Sequence, residues 1–192
     1  MSGTPSPTAL PPLPASQAAL ARVVAEVEEH MSHRGWDAPV AVFALVRTAT
    51  ALETDPDLAT VLDEAALAEA QQDPHALTVI EQEQLPEATG LEDLLAQLAW
   101  PETVDGVALS VERVTLPPSA EEEAASIEDP NERIAFLQTH PARDDVRIVV
   151  GVLRDGEAWC AVRTRSHDTS DAVVQGEAMV PGLIEALGAT FA

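Results

Sequence analysis

Asp145 to Ser166, DVRIVVGVLRDGEAWCAVRTRS, decides the fold. Two apolar runs flank Asp155-Gly156. Asp-Gly suits a two-residue type I′ turn, whose central residues both need φ > 0 and whose twist matches that of the strands. The stretch therefore reads as a β-hairpin. A two-residue loop pairs Arg154 with Glu157, Val152 with Trp159, Val150 with Ala161, Ile148 with Arg163 and Val146 with Arg165. The opposite side of the ribbon carries Leu153, Val149, Cys160, Val162 and Arg147, because side chains alternate along a strand. Both sides are apolar near the turn. A sheet with one wet face should alternate apolar with polar, so both faces need a cover, either helices or a second copy of the chain.

Working outward, helical and strand periodicities alternate along the chain. Gln17–Arg34 carries Leu20, Val23, Val24, Val27 and Met31 on one stripe, with Glu26, Glu28 and Glu29 off it. Ser16 is its expected N-cap and Gly35 its C′ residue, with Trp36 packing back on Met31. Strands are expected at 38–48, 76–82 and 104–116, with a short one at 172–174. Helices are expected from Asp55-Pro56 to Asp73, over 91–100, from Asp129-Pro130 to about His140, and from Pro181 onward. Residues 117–128, rich in Glu, read as a mobile acidic loop. Residues 1–15 hold five prolines among small polar residues and read as a disordered tail. The remainder, 16–192, is expected to be one α+β domain: a mostly antiparallel sheet of about five strands with helices packed against it.

Composition excludes several functions. The net charge of −23 comes from 33 acids against 10 bases, and every base is arginine. Such a chain repels nucleic acid, whose affinity is built on neutralised phosphates. Without lysine there is no phosphate-loop lysine and no Schiff base. A single cysteine, Cys160, forms no internal disulfide or multi-cysteine zinc site and reads as a core filler. No apolar run is long enough to cross a membrane, and no basic residue precedes an apolar core at the N-terminus. A cytoplasmic protein without a cofactor is the expectation.

Three groups of residues could carry chemistry. Arg163, Arg165, His167 and Asp168 toward the open end of the hairpin, with Trp159 on its less covered face, read as an anion-binding or partner-binding surface, since arginine forks suit carboxylate and phosphate. Arg147 is expected to point the other way. The competing reading is pairing of these arginines with the chain's own acids, such as Glu112 or Asp145. Ser166-His167-Asp168 is no triad, because adjacent residues cannot converge as a relay requires. His167 with Asp168 or Asp171 remains an acid–base pair for an enzymatic alternative. Glu26, His30 and His33 lie on one flank of the first helix as a weak metal set that lacks further ligands.

Gly35-Trp36-Asp37, Val42-Phe43-Ala44-Leu45-Val46, Leu98-Ala99-Trp100-Pro101, Arg147 to Gly156 and Arg165-Ser166-His167-Asp168 together resemble an uncharacterised family of small acidic proteins from high-GC actinobacteria. The resemblance covers about residues 17 to 191. It implies no catalytic residues. Family genes that lie near those for a membrane-anchored protease and a large membrane protein imply an envelope-linked partner. The resulting expectation is a protein-interaction or chaperone-like domain, alone or as a homodimer. The alternative is a small-molecule or anion-binding enzyme.

Overall fold

The computed structural model describes residues 12–192; most of the expected N-terminal tail, 1–11, lies outside them. The elements run α1 (Ala15–His33), β1 (Ala41–Arg47), α2 (Thr48–Thr54), α3 (Glu64–Gln72), β2 (Leu77–Glu81), α4 (Leu91–Ala96), β3 (Gly106–Thr115), α5 (Pro118–Ala125), α6 (Pro130–Thr139), β4 (Asp144–Leu153), β5 (Ala158–Thr164), β6 (Val174–Gly176) and α7 (Pro181–Gly188). The fold is α+β. Among the described residues there is one sheet, of order β2-β1-β3-β4-β5-β6, and every neighbouring pair is antiparallel.

Helices cover both faces of the hairpin. On one face, Leu20, Val23, Val24, Val27 and Met31 of α1 pack on Phe43, Leu45, Ala108, Val149, Leu153 and Ala161. On the other, Leu94 and Leu95 of α4 and Leu187 of α7 close over Val42, Val107, Leu109, Val150, Val152 and Cys160. Cys160 is fully buried in that second core, and its burial pushes the thiol up. Among the described residues, no helix is long and apolar enough to cross a membrane.

The hairpin departs from its expected register by one residue. The Leu153 N–H donates to Glu157 O at 2.8 Å and the Gly156 N–H to Leu153 O at 2.9 Å. Gly156 has φ +92°, whereas Asp155 is not in the positive-φ region. The loop is thus three residues, Arg154-Asp155-Gly156: a turn closed by a left-handed glycine, in which only one position needs φ > 0. Asp155 secures it by accepting the Glu157 N–H at 3.1 Å. The observed partners are Val152–Ala158, Val150–Cys160, Ile148–Val162 and Arg147–Arg163. A one-residue slip moves every side chain of one strand to the other face. Trp159, expected beside Val152 and Val150, therefore lies instead on the α1 side with Val149, and Arg163 comes to lie beside Arg147.

Other differences are local. Residues 117–128, expected as a loop, contain α5, opened by Pro118 at its first turn and carrying buried Ala120 and Ala124. The helix expected from Pro56 to Asp73 is split. A single 3₁₀ turn spans Pro56–Thr60, and α3 starts afresh where the Asp63 side chain accepts the Ala66 N–H. Val61 is 80% exposed in the break. The first helix begins at Ala15, after Pro14, with no side-chain cap from Ser16. The sheet has six strands rather than about five, because the short segment near 172–174 forms β6 at Val174–Gly176.

Candidate functional site

At the open end of the hairpin, three arginines point to the α1 side of the sheet. Glu112 on β3, Arg147 on β4 and Arg163 on β5 form one cross-strand row. Arg165 lies two residues further along β5's direction, on the same side. Arg147 is fully buried and Arg163 is 3% exposed. Guanidinium groups stay charged at this depth, so each needs a carboxylate or aromatic partner.

Arg163 is held by Glu28 of α1. Its Nε donates to Glu28 Oε1 at 2.6 Å and its Nη2 to Glu28 Oε2 at 2.8 Å, a bidentate fork inside the protein. Its Nη1 donates to Asp168 Oδ1 at 3.2 Å. Arg147 Nη2 donates to Glu112 Oε1 at 3.0 Å and to the Gly35 carbonyl. Among the described residues, its Nε and Nη1 have no acceptor. The Trp36 ring stacks on this guanidinium at 4.6 Å, a contact that favours the cation through the ring quadrupole. Arg165 stacks on the same ring at 5.5 Å and donates to Asp37 and Asp145. The Trp36 Nε1–H closes the circuit by donating to Asp168 Oδ2 at 2.8 Å.

The backbone after α1 builds this arrangement. Gly35 at φ +80° and Asp37 at φ +66° both sit in the left-handed region, which turns the chain sharply on either side of Trp36. The Asp37 N–H is received by Glu112 Oε2 at 2.7 Å. Trp36 thus lies over the arginines rather than back on Met31, as its position after a helix end led one to expect.

His167 is exposed. Its Nδ1 lies 2.9 Å from Ser166 Oγ, and Ser166 in turn bonds Asp144. Asp168, one of the two expected partners of His167, faces Trp36 and Arg163 instead. Trp159, on the same strand as Arg163, donates from Nε1 to Gln175 at 3.1 Å and packs against the α1 core. Of the metal set, Glu26 and His30 line a groove between α1 and β2 with Val27, Phe43, Val79 and Glu81; His33, one turn on, is not part of that lining. Among the described residues, no group of three or more His, Cys, Asp or Glu side chains is placed to hold a metal ion.

One residue of the network escaped the sequence reading. Glu28 was grouped with the outward acids Glu26 and Glu29, yet it continues the Leu20–Val24 spacing by another four residues and is 3% exposed. That spacing was the available signal. Glu112, expected from the sequence as a partner for the hairpin arginines, takes that place beside Arg147, because its side of β3 is the one under α1.

The carboxylates answer the arginines in their titration. The Trp36 hydrogen bond, then Arg163, holds Asp168 below its ordinary value of 3.8 despite some burial. Partial burial pushes Asp145 up, but hydrogen bonds from Arg143 and Arg165 outweigh it and hold this group low as well. A carboxyl lowered in the folded state stabilises the fold above its unfolded pKa, and that stabilisation is lost as pH falls through the folded value. The network should therefore loosen only below about pH 4. The Trp36 indole N–H resonance is expected to move in that range. In Asp168→Ala the same resonance should start displaced and show no titration there.

An antiparallel sheet covered by helices on both faces, with two arginines buried against the chain's own carboxylates, defines a small α+β domain. The chain belongs to the PPA1309-like protein family, whose model matches residues 20–192. No curated protein and no solved structure matches the chain.

Proposed function

We propose that this protein is a cytoplasmic, non-enzymatic domain that works by holding segments of other proteins in a chaperone-like manner. The observation that carries the reading is the engagement of Arg147, Arg163 and Arg165 by Glu112, Glu28, Asp168, Asp37 and Asp145. The forks of Arg163 and Arg165 are occupied by protein carboxylates and so are poorly placed to receive a substrate anion, and Arg147, which meets Glu112 through Nη2 alone, is fully buried beneath the Trp36 ring. The enzymatic alternative relied on a His167–Asp168 pair, and Asp168 is directed to Trp36 and Arg163 instead. The charge of −23 argues against nucleic acid and for partners that are basic or neutral. An actinobacterial origin and an envelope-linked partner accord with the resemblance and with the arginine-only, alanine-rich composition.

The test is cross-linking in native cells followed by mapping of the linked residues on both chains. The reading expects a small set of protein partners that recur with one surface of this chain. Exclusive recovery of small-molecule turnover, with no recurrent protein contact, would overturn it.

A further inference from the structure

The groove between α1 and β2 combines three features seldom left open together. First, β2 is an edge strand that pairs only with β1 among the described residues. The Gln82 N–H bonds Val42 O and the Thr48 N–H bonds Ala76 O. In an antiparallel pair the inward-facing residues alternate, so Leu77, Val79 and Glu81 turn their backbone N–H and C=O groups outward. No proline or lysine blunts the strand, two devices by which edges are commonly protected. Second, the sheet face beside α1 is open here. Val27, Phe43 and Val79 form the apolar floor and wall of a groove of about 290 Å³. Third, its rim is acidic. Glu81 is held bidentately by Arg34 at 2.7 and 2.6 Å, and Arg22 is engaged by Glu69 and Asp73. That leaves the Glu26 carboxylate on the rim without an ion pair within 4 Å among the described residues. Desolvation by the groove, then the charge of Glu69, pushes this carboxyl up.

We propose that β2 accepts an added strand: an extended partner segment carrying a basic side chain for Glu26 beside an apolar one for the Val27–Phe43–Val79 floor. Main-chain bonds to the outward groups of Leu77, Val79 and Glu81 supply affinity, and alternate side chains supply selectivity. Charge decides between a basic partner and a second copy. Two chains of −23 brought edge to edge would set Glu26 and Glu81 of each against the other's acids. The inference rests on the protein-binding reading above and names the partner chemistry.

The test uses the full chain and a capped heptapeptide in which arginine and valine follow one another along one face of the strand, with threonine at the intervening positions. Its companions are the same peptide N-methylated at alternate residues, a valine–glutamate counterpart and an arginine–glycine counterpart. Titration calorimetry reads affinity, and amide hydrogen exchange locates the contact. The expected result is binding of the arginine–valine peptide alone, with new protection at the Leu77, Val79 and Glu81 amides. N-methylation should weaken it about tenfold or more, because it removes the donors a paired strand needs. Glu26→Arg should weaken it by about tenfold, equivalent to about 1.4 kcal/mol. Ile80→Gln, on the opposite face of β2, should leave it unchanged.

Equal binding of the methylated or glycine peptides would reduce the contact to general charge attraction and overturn the inference. So would protection mapped away from β2, or concentration-dependent self-association abolished by Val79→Pro. Should cross-linking find recurrent partners on another surface while this peptide fails to bind, strand addition falls and the protein-binding reading stands.

Discussion

Replacing Arg163 by alanine is expected to destabilise the fold by about 3–5 kcal/mol, because it strands Glu28 as an unpaired charge 3% exposed beneath α1. For a chain of this size, that corresponds to a fall in Tm of about 10 °C. Urea unfolding should show a lower midpoint with an unchanged slope, since the surface exposed on unfolding hardly differs. Arg163→Lys should also lose stability, as a single ammonium cannot reproduce the two-pronged contact to Oε1 and Oε2. The double replacement Glu28→Leu with Arg163→Met removes both charges and keeps apolar volume. It should recover most of the loss, because the desolvation cost of the pair disappears with the pair. A double variant as unstable as the sum of its single changes would mean that Glu28 and Arg163 do not act on each other.

Gly151→Ala should lower stability by about 1–3 kcal/mol, the usual cost of forcing extra volume into a packed core. The strand position alone argues the opposite sign, since glycine inside a strand is weakening and alanine should help. The structure reverses that expectation. A Cβ built on Gly151 would lie 2.7 Å from Val24 Cγ2 and 2.8 Å from Leu20 Cδ1. Helix α1 rests directly on the backbone of β4 there, and the missing side chain allows it. Val24→Ala opens the same contact from the other side. The pair Gly151→Ala with Val24→Ala should therefore be less destabilised than the sum of the separate changes. Thermal unfolding of the four proteins checks this. A stabilised Gly151→Ala would show that α1 does not sit where it is placed.

Both results depend on how α1 meets the sheet, and they show where local pattern suffices. The stripe Leu20, Val23, Val24, Val27 and Met31 was legible because helical spacing groups these residues whatever they pack against. The apolar hairpin required two covers because neither of its faces alternates, and α1 on one side and α4 with α7 on the other supply them. The helix start at Asp129-Pro130 was readable for the same local reason. Asp129 accepts the Asn131 and Glu132 N–H groups at 2.7 and 3.0 Å within one turn of chain.

The candidate site was only half legible, and the hairpin turn explains much of the shortfall. Asp-Gly admits both a two-residue and a three-residue loop. Local chemistry separates them weakly, because each leaves a favoured conformation for Gly156. The choice moves β5 by one residue against β4, and with it the side on which Arg163 and Trp159 lie. Packing resolves it: in the observed register Arg163 comes under Glu28, and Cys160 enters the α4–α7 core. Glu28 itself showed its face by spacing but not its role, since a glutamate on a buried stripe has meaning only once Arg163 is opposite it. Trp36 was misplaced because its sharp exit from α1, with Gly35 and Asp37 both at positive φ, answers to Arg147 and Asp168, more than 100 residues away.

Sequence by itself thus determined the class of fold, most elements, the need for a cover on both faces of the hairpin and the absence of lysine chemistry. These follow from periodicity, capping and composition, which act over a few residues. Tertiary structure alone decided the hairpin register, the burial of two arginines with their carboxylates and the open edge of β2. Each of these depends on which distant groups meet, and a buried charge or an unpaired strand edge is defined by its surroundings rather than by its neighbours in the chain.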